Sequence, residues 1–202
     1  GTRVLARGGE ILGVEEAGAP PGTSVTVEDL FYNTPARQKF LKSPQTELAF
    51  LTGALEALAI SHPAVAFQLV QNDRERLSTG REPDLLETLL QLYGREVAGD
   101  LIPVIADHPL VRIRGYLSTP FSPRKTPSRV FIAVNYRPVF SRQIVRAVRQ
   151  GYGTLLPSHT YPVALLDLQI DPSRVDVNVH PTKRVVRIEE EQEIRSGIEG
   201  AV

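Results

Sequence analysis

The chain has 202 residues, zero formal net charge, 42% apolar and 23% charged residues, which makes one large or two small globular domains and excludes a uniformly basic nucleic-acid binder. No run of 18 apolar residues and no signal pattern occurs, so neither a membrane span nor secretion is indicated. Cysteine is absent, which excludes disulfides and thiolate metal sites and fits a reducing, cytoplasmic setting.

The pattern opens with a strand pair, 2–6 and 10–14, turned at Gly8-Gly9. Such a start without any Met is expected of a piece cut from a longer chain. A Gly/Pro loop at 17–21 leads to a strand expected over 22–27, where Val25 and Val27 alternate. Thr34-Pro35 starts a short helix, with Thr34 as N-cap and Pro35 in the first turn. Ser43-Pro44 opens a longer one, about 45–60, with Leu48, Leu51, Leu55, Leu58 and Ala59 at helical spacing. A strand pair follows at 66–71 and 75–78 around Asn72-Asp73. The polar Gly/Pro stretch 78–83 is the expected domain boundary, giving domains of 1–80 and 81–202.

In the second half, Asp84 caps a helix of leucines up to Gly94. Strands are expected at 101–105, 111–118 and 129–135, with Arg124 and Lys125 on a Pro-containing loop between the last two. Ser141 caps a helix over 142–150 that Gly151 and Gly153 end. Residues 163–170 form a strand, 171–174 a turn, and Val175, Val177 and Val179 then alternate with Asp176, Asn178 and His180. Pro181 ends that strand, and Lys183 stands on a short loop before a last strand at 184–188. Strands alternating with helices make the fold class α/β, of the α+β kind with mixed sheets.

Charge is neutral overall but unevenly placed. No Asp or Glu lies between His108 and Leu166, where Arg112, Arg114, Arg124, Lys125, Arg129, Arg137, Arg142, Arg146 and Arg149 fall; acids collect at Glu189, Glu190, Glu191 and Glu193. Such asymmetry points to a local anion-binding surface. Arg142, Arg146 and Arg149 share one helix face, with Ile144 and Val148 opposite. Two readings fit that stripe: a solvated basic face, or contacts to backbone phosphates, which are recognised by charge and not by base sequence. The absence of an aromatic residue from this helix argues against base stacking by it. Lys183 likewise is either a solvated turn lysine or a point charge reaching a phosphate. The histidines are scattered without metal-ligand spacing, no P-loop occurs, and no nucleophile-elbow motif is present.

Three segments in order carry a family resemblance. The stretch Gly22-Thr-Ser-Val-Thr-Val-Glu-Asp-Leu-Phe-Tyr-Asn-Thr-Pro-Ala-Arg37, with Lys39-Phe-Leu41, resembles the signature of MutL-type DNA mismatch repair proteins. Val134-Asn135 with Arg137, and Asp176-Val-Asn-Val-His-Pro-Thr-Lys183, resemble two further shared segments of that family. The resemblance implies the C-terminal part of a GHKL (Bergerat) ATPase sandwich, followed by a ribosomal-protein-S5-domain-2-like transducer domain. It implies Gly22, Thr23 and Lys183 as contacts to the ATP phosphates, with Lys183 meeting the γ-phosphate. It matches Arg142, seven residues beyond Asn135, to an arginine implicated in DNA binding; Arg146 and Arg149 on the same stripe, and Arg124 and Lys125 on their loop, are the further candidate DNA contacts. The family's catalytic Glu, metal-binding Asn and base-recognition motif are not found in this sequence. ATP and Mg²⁺ are therefore expected of the longer parent, and neither nucleotide binding nor hydrolysis of this piece alone. The partners implied are DNA, a MutS-type mismatch-recognition protein, a helicase and a nicking endonuclease activity, with the parent a homodimer in the cytosol. Two other readings stay open: a topoisomerase-type GHKL ATPase, and a DNA-binding module without nucleotide function.

Overall fold

The computed structural model describes residues 1–81, 84–176 and 186–202. Close packing divides them into two compact units, Gly1–Ala49 and Phe50–Val202.

In the first unit, β1 (Thr2–Arg7) and β2 (Glu10–Glu16) pair antiparallel, as the Gly8-Gly9 turn predicts. Gly8 and Gly9 both take positive φ in the turn, where a side chain would be strained. The expected strand at 22–27 does not form. Valines alternate there, but no strand among the described residues bonds to it, and Val25 and Val27 stay exposed. Alternation supplies one apolar face; a strand also needs a ladder partner and a surface to cover. Helix α1 is a single turn, Pro35–Gln38; Thr34 precedes it but its hydroxyl makes no cap bond. Helix α2 (Pro44–Ser61) begins where Ser43 Oγ accepts from Thr46 N at 3.3 Å.

The second unit is built on a five-stranded sheet in the order β5-β6-β9-β7-β8. Its strands are β5 (Leu101–His108), β6 (Val111–Ser118), β7 (Val130–Val134), β8 (Arg137–Val139) and β9 (Ala164–Gln169). The pair β7–β9 is parallel and the others are antiparallel. Strand β8, unforeseen in the sequence, turns back from β7 through Asn135 and Tyr136. Both have positive φ, which suits the right-handed twist of a two-residue hairpin. The same geometry at Asn72-Asp73 joins the hairpin β3 (Phe67–Gln71) and β4 (Arg74–Thr79).

Alternate residues of the sheet face two layers. Val111, Ile113, Ile132, Val134, Leu166 and Leu168 meet Ile144, Ala147 and Val148 of α4 (Arg142–Gly151), and Ile194 and Ile198 of α5 (Glu191–Ala201). On the other face Val163 and Leu165 pack with Ile60 of α2 and Leu89 and Val97 of α3 (Leu85–Ala98). Asp84 caps α3 as expected, accepting from Leu86 N at 3.0 Å. The helix resumes beyond Gly94, whose φ of 76° marks the kink at which the sequence suggested an end. At the centre of the sheet, Gly115 lies so close to β9 that a Cβ would meet the Leu165 carbonyl oxygen.

Helix α5 is also unforeseen; acids surround its few apolar residues. Ile194 and Ile198, four residues apart, supply the buried stripe that holds it. Strand β10 (Val175–Asp176) pairs with β11 (Arg187–Ile188). The lysine-loop motif between them, with His180 and Lys183, falls at 177–185, outside the described residues.

Candidate nucleic-acid interface

Helix α4 is set on the sheet by bonds at both ends. At its start, Ser141 Oγ accepts from Ile144 N at 3.2 Å, the N-cap that the sequence predicts. Just upstream, Asn135 donates through Nδ2 to the Ile170 carbonyl and accepts from Ile170 N, each at 2.9 Å. The hairpin that delivers the chain to α4 is thereby fastened to the end of β9. At the far end, the Tyr152 hydroxyl donates to the Ser118 carbonyl at 2.5 Å, and burial pushes that phenol's pKa up.

With Ile144 and Val148 fully buried, Arg142 and Arg146 stand exposed one turn apart on the outer face. Arg149, on the same stripe, is half-buried, and its Nε donates to the Thr160 carbonyl at 3.1 Å. The next residue, Tyr161, exchanges two backbone hydrogen bonds of 2.8 Å with Arg124. The 157–161 segment therefore joins the end of α4 to the loop of Arg124 and Lys125. Lys125 is exposed, while Arg124 is half-buried with an Nε that has no partner. Ser122 on the same loop donates to Asp100.

The residue that sequence reasoning missed is Arg195. It reaches from α5 to α4, where its Nη1 donates to Gln143 Oε1 at 3.3 Å. Arg142, Gln143, Arg146 and Arg195 line a pocket of about 410 Å³ between the two helices. The detectable signal was the Ile194–Ile198 spacing, which fixes a helix face and sets Arg195 at its edge.

Electrostatically the region is open to anions. Among the described residues, Arg112 alone of the acid-free stretch's cations is in an ion pair, with Asp107 at 2.7 Å. Arg129 instead lies over the Tyr93 ring, 4.1 Å from its centroid. No group of three or more His, Cys, Asp or Glu that could hold a metal occurs among the described residues, and none of their helices is long and apolar enough to cross a membrane.

Gly22 and Thr23 lie in the first unit, exposed and outside regular structure. Gly22 has φ of 134°, and the space its Cβ would occupy is empty. That is the open backbone which close approach of a phosphate needs. Lys183, their expected companion, lies outside the described residues.

The family model for the C-terminal domain of DNA mismatch repair proteins matches residues 89–202, more than half of the chain. The chain belongs to the MutL family. The MutL of Methanoculleus marisnigri is 53% identical over 202 residues, all of this chain and 34% of that protein. The chain thus spans about a third of the length of the curated relatives it matches. A crystal structure of the N-terminal domain of a DNA repair protein superposes with a TM-score of 0.80 at 27% identity, covering 95% of this chain and 63% of that one. The Aquifex aeolicus MutL ATPase domain complexed with ADP gives 0.67 at 24% identity, over 85% of this chain and 62% of that one, a likeness of fold. The mixed α/β architecture is thus that of MutL ATPase-region structures.

Proposed function

We propose that this MutL-family chain is the part of an ATP-dependent repair switch that touches DNA and carries the nucleotide's signal onward. Residues 1–80 would close a GHKL ATPase fold and residues 81–202 form its transducer domain. The observation that carries the DNA contact is the uncompensated basic face of α4, on which Arg142 and Arg146 are exposed and free of ion pairs among the described residues. Backbone phosphates suit such a surface, since their recognition requires charge and reach without base-specific geometry. Arg149, Arg124 and Lys125 extend it along the 157–161 segment.

The nucleotide arm rests on the sequence motifs. Gly22 and Thr23 would meet ATP phosphates through backbone N–H groups and a hydroxyl, and Lys183 would place its charge against the terminal phosphate. A cation that meets only the triphosphate supplies differential affinity between ATP and ADP states, the requirement of any ligand-driven switch. Mg²⁺ would accompany the nucleotide on residues of the longer parent. The partners follow from that role: DNA, a MutS-type mismatch-recognition protein, a helicase, a nicking endonuclease activity and a second copy of the parent.

The test is duplex DNA binding against salt. Binding should weaken steeply as salt rises, and the Arg142→Ala/Arg146→Ala/Arg149→Ala variant should lose about two to three units of the logarithmic slope, as counterion release requires. An unchanged slope would remove the helix from the interface. For the nucleotide arm, Lys183→Ala in the intact protein should abolish the difference between ATP and ADP in protecting it from proteolysis.

A further inference from the structure

The pocket between α4 and α5 contains a group that the DNA reading, drawn from the α4 stripe, does not use. Arg195 is half-buried, its Nη1 is tethered to Gln143, and its Nε is buried without an acceptor. Buried guanidinium nitrogens are normally satisfied, so one without a partner calls for an explanation. A carboxylate does not supply it. Glu191 and Glu199 stand four residues to either side on the same helix, yet neither forms an ion pair with Arg195 among the described residues.

The surroundings favour an anion. Among the described residues, three arginines and one amide line the pocket and no acid does. Arg142 and Gln143 belong to the first turn of α4, where the helix dipole adds positive potential, and Arg146 to the turn that follows. Guanidinium can grip a tetrahedral oxyanion through two parallel N–H bonds, which an ammonium cannot. The two helices touch at the far end of α4, where a Cβ on Gly151 would overlap Val202 beside α5. From this pocket the stripe runs on to Arg149, roughly 10 Å along the helix at 1.5 Å per residue. A lone small ion would occupy only part of the pocket and leave that track empty; a strand of linked phosphates uses both.

We infer that this pocket seats one backbone phosphate of bound DNA, with Arg195 as the inner ligand, Arg142 and Arg146 as the outer pair, and Gln143 positioning Arg195. The inference deepens the proposed DNA contact and rests on it.

The experiment measures duplex DNA affinity against salt for the intact protein and for Arg195→Gln, Arg195→Lys and Gln143→Ala, with a thermal melt of each. A parallel titration uses inorganic phosphate alone. Arg195→Gln should reduce the salt slope by about one unit, as loss of one phosphate contact requires. Arg195→Lys should keep the slope yet bind more weakly, because a point charge replaces the fork. Gln143→Ala should weaken binding with the slope preserved. Inorganic phosphate should compete with DNA in the wild type and not in Arg195→Gln. A wild-type slope in Arg195→Gln overturns the inference. So does an equal loss of affinity in the Gln and Lys variants that tracks lower melting temperatures, which would make Arg195 a prop for α4. Phosphate binding that depends on Arg195 without any effect on DNA would assign the pocket to a free anion, and also overturns it. If the triple α4 variant loses slope while Arg195→Gln does not, the pocket falls and the DNA contact stands. If the wild type shows no salt-dependent binding, both fall.

Discussion

At the scale of single residues, similar arginines do different work according to what they touch. Arg142 and Arg146 face solvent, whereas Arg149 is committed through Nε to the Thr160 carbonyl. Arg149→Ala should therefore lower stability by about 1.5–3 kcal/mol, the range for a charged hydrogen bond. Arg146→Ala should leave stability nearly unchanged; paired chemical denaturations would separate the two. Helical spacing placed all three on one face, but it could not tell which of them the loop at 157–161 would engage. Tyr93 gives a pH prediction. Burial raises its pKa above the ordinary 10.0, the nearby Glu56 carboxylate adds to that, and Arg129 opposes it. The folded state keeps the phenolic proton that the unfolded state loses above pH 10. Its stabilising contribution is therefore full below pH 10 and declines as pH rises past that value. Tyr93→Phe should flatten the alkaline limb of stability above pH 10, read by denaturant midpoints across that range.

Elements were legible where pattern and punctuation agreed. The caps at Asp84 and Ser141, the glycine turn of β1–β2 and the leucine spacing of α3 all formed as their sequences indicate. Ser141→Ala should cost about 0.5–2 kcal/mol, the usual value of an N-cap, and should loosen the start of the α4 stripe. Two elements escaped and one expected strand did not form, for different reasons. Strand β8 has three residues, shorter than any reliable alternation. The acids flanking α5 masked its two buried isoleucines. Residues 22–27 alternate well, but a strand's existence depends on a partner that local sequence cannot reveal. Nothing in the local sequence marks Gly115, because the proximity of β9 that forbids a side chain there is a tertiary fact. Gly115→Ala should split the sheet at its middle, visible as loss of amide protection in β6 and β9 together.

Over the whole molecule, protection should be uneven. No residue of Gly1–Ala49 is buried, while β6, β7 and β9 lie under helices on both faces. Amide exchange of this chain should be fast across 1–43 and slowest in those three strands. Leu89→Ala, which empties a fully buried position between α3 and the sheet, should cost about 2–5 kcal/mol. The fold class and the family were readable because three ordered motifs span most of the chain. The Arg195 pocket was not, because its parts lie on two helices that only the assembled sheet brings side by side.

That separation sets an order of events during synthesis. The α4 stripe leaves the ribosome with its strands, while Arg195 follows 53 residues after Arg142 (195 − 142). At roughly 5–20 residues per second, the exposed arginines wait about 3–10 s before α5 arrives. The nascent chain is thus basic before the pocket exists: the α4 stripe can attract any polyanion early, whereas the proposed seat for one phosphate forms only once α5 has docked.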